Sequence, residues 1–287
     1  MSKIMMTSIL NWDEVYYNKE VGKQIGLQIL SKLREDGFAY THDGVYHADD
    51  LFCMALIEYA LGNEYNFEFI RTRNLEHPYF TFDVGGGDFD HHQCDEYRWG
   101  DEGIFASFGK LWCTIGRTLG LREEVWREID EQFVQAIDHT DNTGVMNPVN
   151  YMINSTKRHG LEEGFIIARS MANEVLIEII ESGLQKSREL DDFYKEVESR
   201  DDSSPVLELS RHYVVNKEVY QSMGIDWIIF PDVKPGLFTV QAVGKKLLPE
   251  DLRGKSNEGD IIFTHKGGWV GKTKSIESAK ALVATAL

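Results

Sequence analysis

Between Phe82 and Gln93 the chain reads FDVGGGDFDHHQ, which sets three consecutive glycines between an apolar run and a cluster of acid and imidazole. Glycine turns the backbone sharply at no steric cost. The apolar run Tyr79, Phe80, Phe82 predicts a short strand that ends at Asp83, at the carboxyl edge where open α/β sheets place their sites. Asp90, His91 and His92 follow directly. Upstream, THDGVYHADD crowds His42, His47, Asp49 and Asp50 into nine residues. Imidazole and carboxylate together suit Mn²⁺, Zn²⁺ or Fe²⁺, with the mixed set favouring Mn²⁺, whereas carboxylate and water alone suit Mg²⁺ or Ca²⁺. A bridging carboxylate such as Asp83 could hold two cations about 3.5–4 Å apart, the spacing that clamps both oxygens of an in-line phosphoryl displacement. A lone acid-His-His is a weak signal. The ordered series HxxxxHxD, strand-end Asp before glycines, DHH, then a helix-end Asp is hard to produce as solvated surface charge.

The surrounding pattern places these clusters in an α/β domain. Phe38 to Thr41 reads as a strand, 49–61 as the helix after it, and Phe67 to Thr72 as another strand, so the HADD cluster falls in a strand-to-helix turn. Arg71 and Arg73 follow the second strand, read either as phosphate contacts or as structural ion pairs. Residues 19–35 place Val21, Ile25, Ile29 and Leu33 four apart, which predicts a helix packed on the domain, with a lid or partner helix as the alternative. Residues 104–119 and 122–138 carry helical periodicity, and Trp112 and Trp126 read as core. The stretch 161–197 predicts long helices leading into a linker, and Arg200 to Pro205 is the best boundary. Beyond it, Val206–Leu209, Trp227–Phe230, Leu237–Val243 and Ile261–Thr264 read as strands, and 275–287 as a helix capped by Ser275. His265-Lys266-Gly267-Gly268 with Gly271-Lys272 reads as a cationic, glycine-rich loop that lets amides and a lysine approach an anion. The expected organisation is a helical extension over 1–37, a parallel-sheet α/β domain over 38–200 and a smaller α+β domain over 205–287.

A length of 287 residues accommodates two domains. The formal net charge of −17 removes the broad basic footprint that duplex nucleic acid requires, while local basic pockets remain open. Three cysteines, with no CxxC pair, fit a reducing compartment. Cys53 and Cys113 read as packing residues, and Cys94 as buried beside the DHH. No cleavable leader or apolar span of about 20 residues is visible, so the expected location is the cytoplasm.

At THDGVYHADD (41–50), IRTR (70–73), FDVGGGDFDHHQ (82–93), AIDHTDN (136–142), and FTVQAV (238–243) with FTHKGGWVGKTKSIESA (263–279), the chain resembles the DHH phosphoesterase superfamily. Within it the likeness is to the MYG-type (melanocyte-proliferating-gene) proteins, metal-dependent exonucleases acting on RNA, and it runs from about Tyr40 to Ala286. The resemblance implies a DHH-type N-terminal domain joined by helices to a smaller C-terminal one. It puts one cation on His42, His47 and Asp83 and a second on Asp49, Asp83, His91 and a fourth-motif carboxylate. Asp138 is preferred for that last place, with Asp141 the alternative. Asp50 stands where the family usually has glutamate, one methylene longer. His92 would touch the scissile phosphate, Asp90 would orient a ligand imidazole, and Asp83 would bridge. Substrate contacts fall on Arg71, Arg73, His265, Gly267, Gly268, Gly271 and Lys272.

The implied cofactors are two divalent ions, Mn²⁺ before Mg²⁺, which would acidify the attacking water. The implied substrate is single-stranded RNA or a short oligonucleotide, cleaved 3′-5′ in a cleft that the second domain closes. Two rival readings stay open: a phosphatase for pyrophosphate or a dinucleotide, and a non-catalytic metal- or nucleotide-binding protein. Oligomeric state is open, a homodimer included.

Overall fold

The computed structural model describes residues 10–62, 65–75, 80–92, 103–198, 200 and 204–287. Tyr79, Gln93, Cys94 and the centre of the expected 200–205 boundary lie outside them. The chain is mixed α/β and divides into two compact units, Met1–Ser187 and Arg188–Leu287.

In the first unit, β1 (Phe38–Thr41) pairs in parallel with β2 (Glu68–Arg71), from Phe38↔Glu68 to Thr41↔Arg71. Parallel neighbours need a crossover, and α3 (Ala48–Leu61) supplies it. Thr81 adds a parallel bridge to Tyr40 on the other side of β1, through Tyr40 N–H to Phe80 O and Phe82 N–H to Tyr40 O. The expected parallel sheet is therefore small, two strands and a bridge among the described residues. Its geometry still delivers His42, Arg71 and Asp83 to one carboxyl edge.

Helix α3 is apolar on every side and buried along most of its length, as a helix covered all round must be. It packs against α4 (Ser107–Thr114) and α6 (Gln135–Thr143). Between α5 (Glu123–Ile129) and α6 lies a π-helical turn, Asp130–Val134. Before β1 come α1 (Trp12–Tyr17) and α2 (Lys19–Asp36). Gly22 and Gly26 let α2 lie directly on the backbone of residues 113–114, since a Cβ would stand 2.4 Å from Cys113 O at the first and 2.3 Å from Thr114 O at the second. The one-sided helix of residues 19–35 is thus a packed helix. Trp112 and Trp126 are core, stacked at 5.9 Å, and Cys53 and Cys113 are buried. Helix α7 (Pro148–Ser155) then leads to α8 (Leu161–Glu198).

The stretch expected as several long helices is a single helix of 38 residues, unbroken through its charged segment Arg188 to Asp192. Ser187, Leu190, Phe193 and Val197 continue the buried stripe through it, so the charges there are the solvent side of an amphipathic turn.

The second unit is a six-stranded sheet in the order β3 (Val206–Glu208), β4 (Trp227–Pro231), β5 (Phe238–Ala242), β8 (Val270–Thr273), β7 (Ile261–Thr264), β6 (Ser256–Glu258). Among the described residues only β3–β4 is parallel in this sheet. The period of two along β4 feeds two cores. Ile228 and Phe230 join Phe193 and Val197 of α8 and Tyr220 of α9 (Lys217–Ser222). Trp227 and Ile229 join Ala279, Leu282 and Val283 of α10 (Ile276–Ala284). Ser275 caps α10 by accepting from Ser278 N–H. Gly271 and Lys272, expected in a loop with Gly267 and Gly268, lie instead on strand β8, because β5 and β7 pair with them from both sides. Among the described residues no helix is long and apolar enough to cross a membrane.

Candidate metal centre

His42 follows β1, His47 caps α3, and Asp49 and Asp50 occupy the first turn of that helix, where carboxylates meet the positive end of the macrodipole. Asp50 closes the cap by accepting the His47 N–H at 2.8 Å. Its other oxygen lies 3.5 Å from His42 Nε2 without a hydrogen bond. Asp49 reaches across to the start of α4, accepting the N–H groups of Ser107 at 3.2 Å and Phe108 at 2.7 Å. Both carboxylates are fully buried.

Asp83 enters the left-handed region at φ 54°, a conformation that a short polar side chain tolerates better than most. Gly85 (φ 92°) and Gly86 (φ 70°) continue the turn. The Asp83 N–H bonds to Phe89 O, Asp90 Oδ2 accepts from Gly86 N–H at 2.7 Å, and Asp90 Oδ1 takes both the His92 N–H at 3.0 Å and His92 Nδ1 at 2.8 Å. The imidazole that Asp90 holds is therefore that of His92.

These turns aim their side chains at one another. Asp83 stands 3.2 Å from His42 Nε2 through one oxygen and 3.2 Å from His91 Nε2 through the other. His91 Nε2 also lies 3.1 Å from Asp141 Oδ2, yet it makes no directed hydrogen bond. Asp141 reaches His47 Nδ1 at 3.6 Å. Among the described residues two overlapping trios, with His91 common to both, have donor atoms close enough to hold an ion: Asp83 with His91 and His92, and Asp49 with His91 and Asp141. His42 and His47 flank these trios without entering them. In His42, Nδ1 accepts the Gly44 N–H at 3.1 Å, so the neutral ring carries its proton on Nε2, facing Asp83.

Helix α6 holds Asp138 and Asp141 one turn apart, and the one that faces the imidazoles is Asp141. Asp138, preferred from the sequence, is buried and accepts Gly109 N–H at 3.0 Å near the start of α4. The sequence placed Asp141 in a loop beyond the helix, whereas the helix continues to Thr143.

The electrostatics show what the cluster lacks. Burial, then the neighbouring carboxylates of Asp83 and Asp141, push Asp49 well above the ordinary carboxylate range. Burial, then Asp83, pushes Asp50 up to about 7. Asp83 goes the other way: burial would raise it, but His42 and His91 hold it well below the usual range. Burial would lower His91, but Asp141 and Asp83 drive it up to about 11. Carboxylates crowded into a dry pocket hold a proton unless a cation replaces it, so the donor set fits a divalent ion.

A cleft of about 530 Å³ opens onto the cluster, lined by His42, Val45, His47, Arg73, Asp83, Val84, Gly85, Asp90 and His92. Arg73 is exposed there and pairs with Asp43 at 3.2 Å. Arg71 is committed elsewhere: its guanidinium donates to His42 O at 3.2 Å and Gly44 O at 2.6 Å and lies over the Phe165 ring. In the second unit, His265 Nδ1 accepts Gly267 N–H at 3.0 Å in the turn with Gly268. Lys272 pairs with Asp232 at 2.5 Å.

A family model named MYG1_exonuc, described as an uncharacterised protein family (UPF0160), matches residues 39–287. The chain belongs to this family. Among solved structures, RecJ from Thermus thermophilus in complex with Mn²⁺ aligns over 97% of this chain and 55% of its own, at 13% identity and TM-score 0.33. The chain thus spans about half the length of that protein. A manganese-bound exonuclease RecJ aligns over 92% of both chains at 13% identity and TM-score 0.28. The pGpG-specific phosphodiesterase PggH from Vibrio cholerae aligns over 86% of this chain and 95% of its own, at 12% identity and TM-score 0.29. No curated protein matches the chain.

Proposed function

We propose that this protein is a metal-dependent phosphodiester hydrolase, a 3′-5′ exonuclease on single-stranded RNA or short oligonucleotides, acting in the cytoplasm. The observation that carries this reading is the convergence of Asp49, Asp83, His91 and Asp141, drawn from two overlapping donor trios, in a buried excess of carboxylate. Family membership supports it. In this reading Asp49, Asp83, His91 and Asp141 are the principal ligands of two divalent ions, Mn²⁺ before Mg²⁺. His42 and His47 complete the sphere once the Gly44 contact to His42 opens. Asp138 holds α4 in place. Bound there, the cations would supply an acidified water and neutralise charge on the phosphoryl oxygens.

The remaining chemistry falls to side chains. His92, held by Asp90 through Nδ1, lines the cleft and, as the imidazolium, would donate from Nε2 to a non-bridging oxygen. Arg73 offers a second cationic contact, while Arg71 fixes the carbonyls of the 42–44 loop. His265 and the Gly267–Gly268 turn serve as further substrate contacts. Lys272, neutralised by Asp232, does not.

The test is release of mononucleotides from a 3′-labelled RNA oligomer with Mn²⁺, compared with DNA, a dinucleotide and pyrophosphate. Turnover of the oligomer that Asp83→Ala abolishes is the expected result. Preference for pyrophosphate or the dinucleotide would make the protein a small-substrate phosphatase. Stoichiometric metal binding without turnover of any phosphoester would make it a binding protein.

A further inference from the structure

The matched family region begins at residue 39, yet the segment before it reaches the DHH turn. Leu10 N–H donates to Asp88 Oδ1 at 3.1 Å. The Trp12 indole, buried at 4% exposure, stands edge-on to Phe89 at 5.6 Å. Its face receives the Lys110 ammonium 5.1 Å from the ring centroid. That lysine, 1% exposed on α4, donates to Asp88 O at 3.1 Å and Asp90 O at 3.2 Å. The segment is anchored in turn: Tyr16 OH donates to Asp130 in the π-helical turn at 3.0 Å, and Arg117 donates to Tyr16 O at 3.0 Å.

A buried ammonium is costly unless its donors find acceptors. Acceptors here include two carbonyls of the turn that carries Asp90, and the ammonium also lies over an aromatic face. Asp90 then sets His92 through two contacts. We infer that Leu10–Tyr17 is a built-in brace of the candidate centre, with Trp12 and Lys110 as positioning residues that fix Asp90 and, through it, His92. This rests on the proposed hydrolase only for its catalytic consequence; the brace itself has a readout without metal or substrate.

That readout is hydrogen–deuterium exchange of the metal-free full chain, at the amides of Asp83, Gly86, Asp90 and His92 that the turn protects. Trp12→Ala and Lys110→Met should each speed exchange there about tenfold, leaving β1 and the second unit unchanged, with Trp12→Phe near wild type. On an oligonucleotide, both should lower kcat about tenfold or more with KM within about twofold, the scale on which supporting residues act. Unchanged exchange at residues 83–92, or acceleration spread evenly over the first unit, overturns the brace. If Trp12→Ala does not fold, Lys110→Met, which keeps the apolar stem, decides by the same exchange measurement. A wild type that turns over no phosphoester sinks the hydrolase reading and leaves the exchange result to decide this one.

Discussion

The same residue type is treated in opposite ways in the two units. Asp232 in the second unit receives Lys272, the Lys234 N–H at 3.0 Å and the Thr239 hydroxyl at 2.7 Å, and these contacts pull it down to about 2. Glu196, although burial would raise it, is likewise lowered by Tyr213 and Ser210. Asp49 and Asp50 of the first unit are pushed up, with other carboxylates as close neighbours. Carboxylates that finish their hydrogen bonding within the protein build structure. A cluster whose charge exceeds what its imidazoles can offset leaves room for an external cation.

The strongest way to break that contrast is at Asp83, which touches both His42 and His91. Asp83→Ala should abolish Mn²⁺ binding by calorimetry and lower kcat/KM by ~10³-fold or more, the scale on which removing a main source of charge stabilisation acts. Asp232→Ala should leave both within about twofold, because its partners all lie in its own unit. Equal losses from the two variants would erase the distinction.

A cation should also stabilise the units unequally. At a free Mn²⁺ concentration about 100 times its Kd, the metal-competent unit gains about 2.7 kcal/mol by mass action. Exchange at the buried amides of α3 should slow accordingly. The amides of β4 and β5 should not respond, since the second unit contributes none of the described donor trios. Slowing that is uniform over the chain, or absent from α3, would contradict the assignment.

Much of this architecture was legible from periodicity. β1 and β7 match the sequence expectation residue for residue, and α3 and β2 match within a residue or so, because short apolar runs bounded by glycine and polar residues leave little choice. The extent of α8 was legible to within a residue, but not that it is one helix, since the charges of Arg188 to Asp192 break the stripe unless Leu190 and Phe193 are seen to stay in phase with it. Strand β8 hid behind Gly271 and Lys272, where propensity argues for a turn and pairing on both sides overrides it. In the centre, residue types announced the cluster. That Asp141 and not Asp138 faces His91 depends on α6 running on to Thr143. Trp12 and Lys110 carried no signal, because an indole before the first strand and a lysine in an apolar helix read as ordinary core and surface until the turn is folded against them.

Smaller effects sharpen the comparison through pH. Asp232 has a folded value of about 2 against an ordinary 3.8, so its contribution is fully present above about pH 4 and is lost as pH falls toward 2. Its carboxyl carbon should titrate near 2 by NMR, and Lys272→Met should move the midpoint upward. Asp232→Ala should cost about 1.5–3 kcal/mol in denaturant unfolding of the second unit, the range for hydrogen bonds to a charged group. A midpoint near 4 in the wild type would mean that Lys272 is free to meet an anion after all.

The smallest stability effect and the clearest division of labour belong to the two arginines. Arg73, exposed and paired with Asp43, should contribute less than about 1 kcal/mol to stability. Arg73→Met should therefore leave unfolding nearly unchanged while raising KM for an oligonucleotide several-fold. Arg71 has its donors on the carbonyls of His42 and Gly44 and its plane on Phe165. Removing it strands two carbonyls of the loop that carries His42, so Arg71→Met should lower stability and Mn²⁺ affinity together. Arg71→Lys should not rescue, since one ammonium cannot reproduce the planar fork and the stacking. Should Arg71→Met instead raise KM with stability and Mn²⁺ affinity intact, the arginine binds substrate and the loop is held by other means.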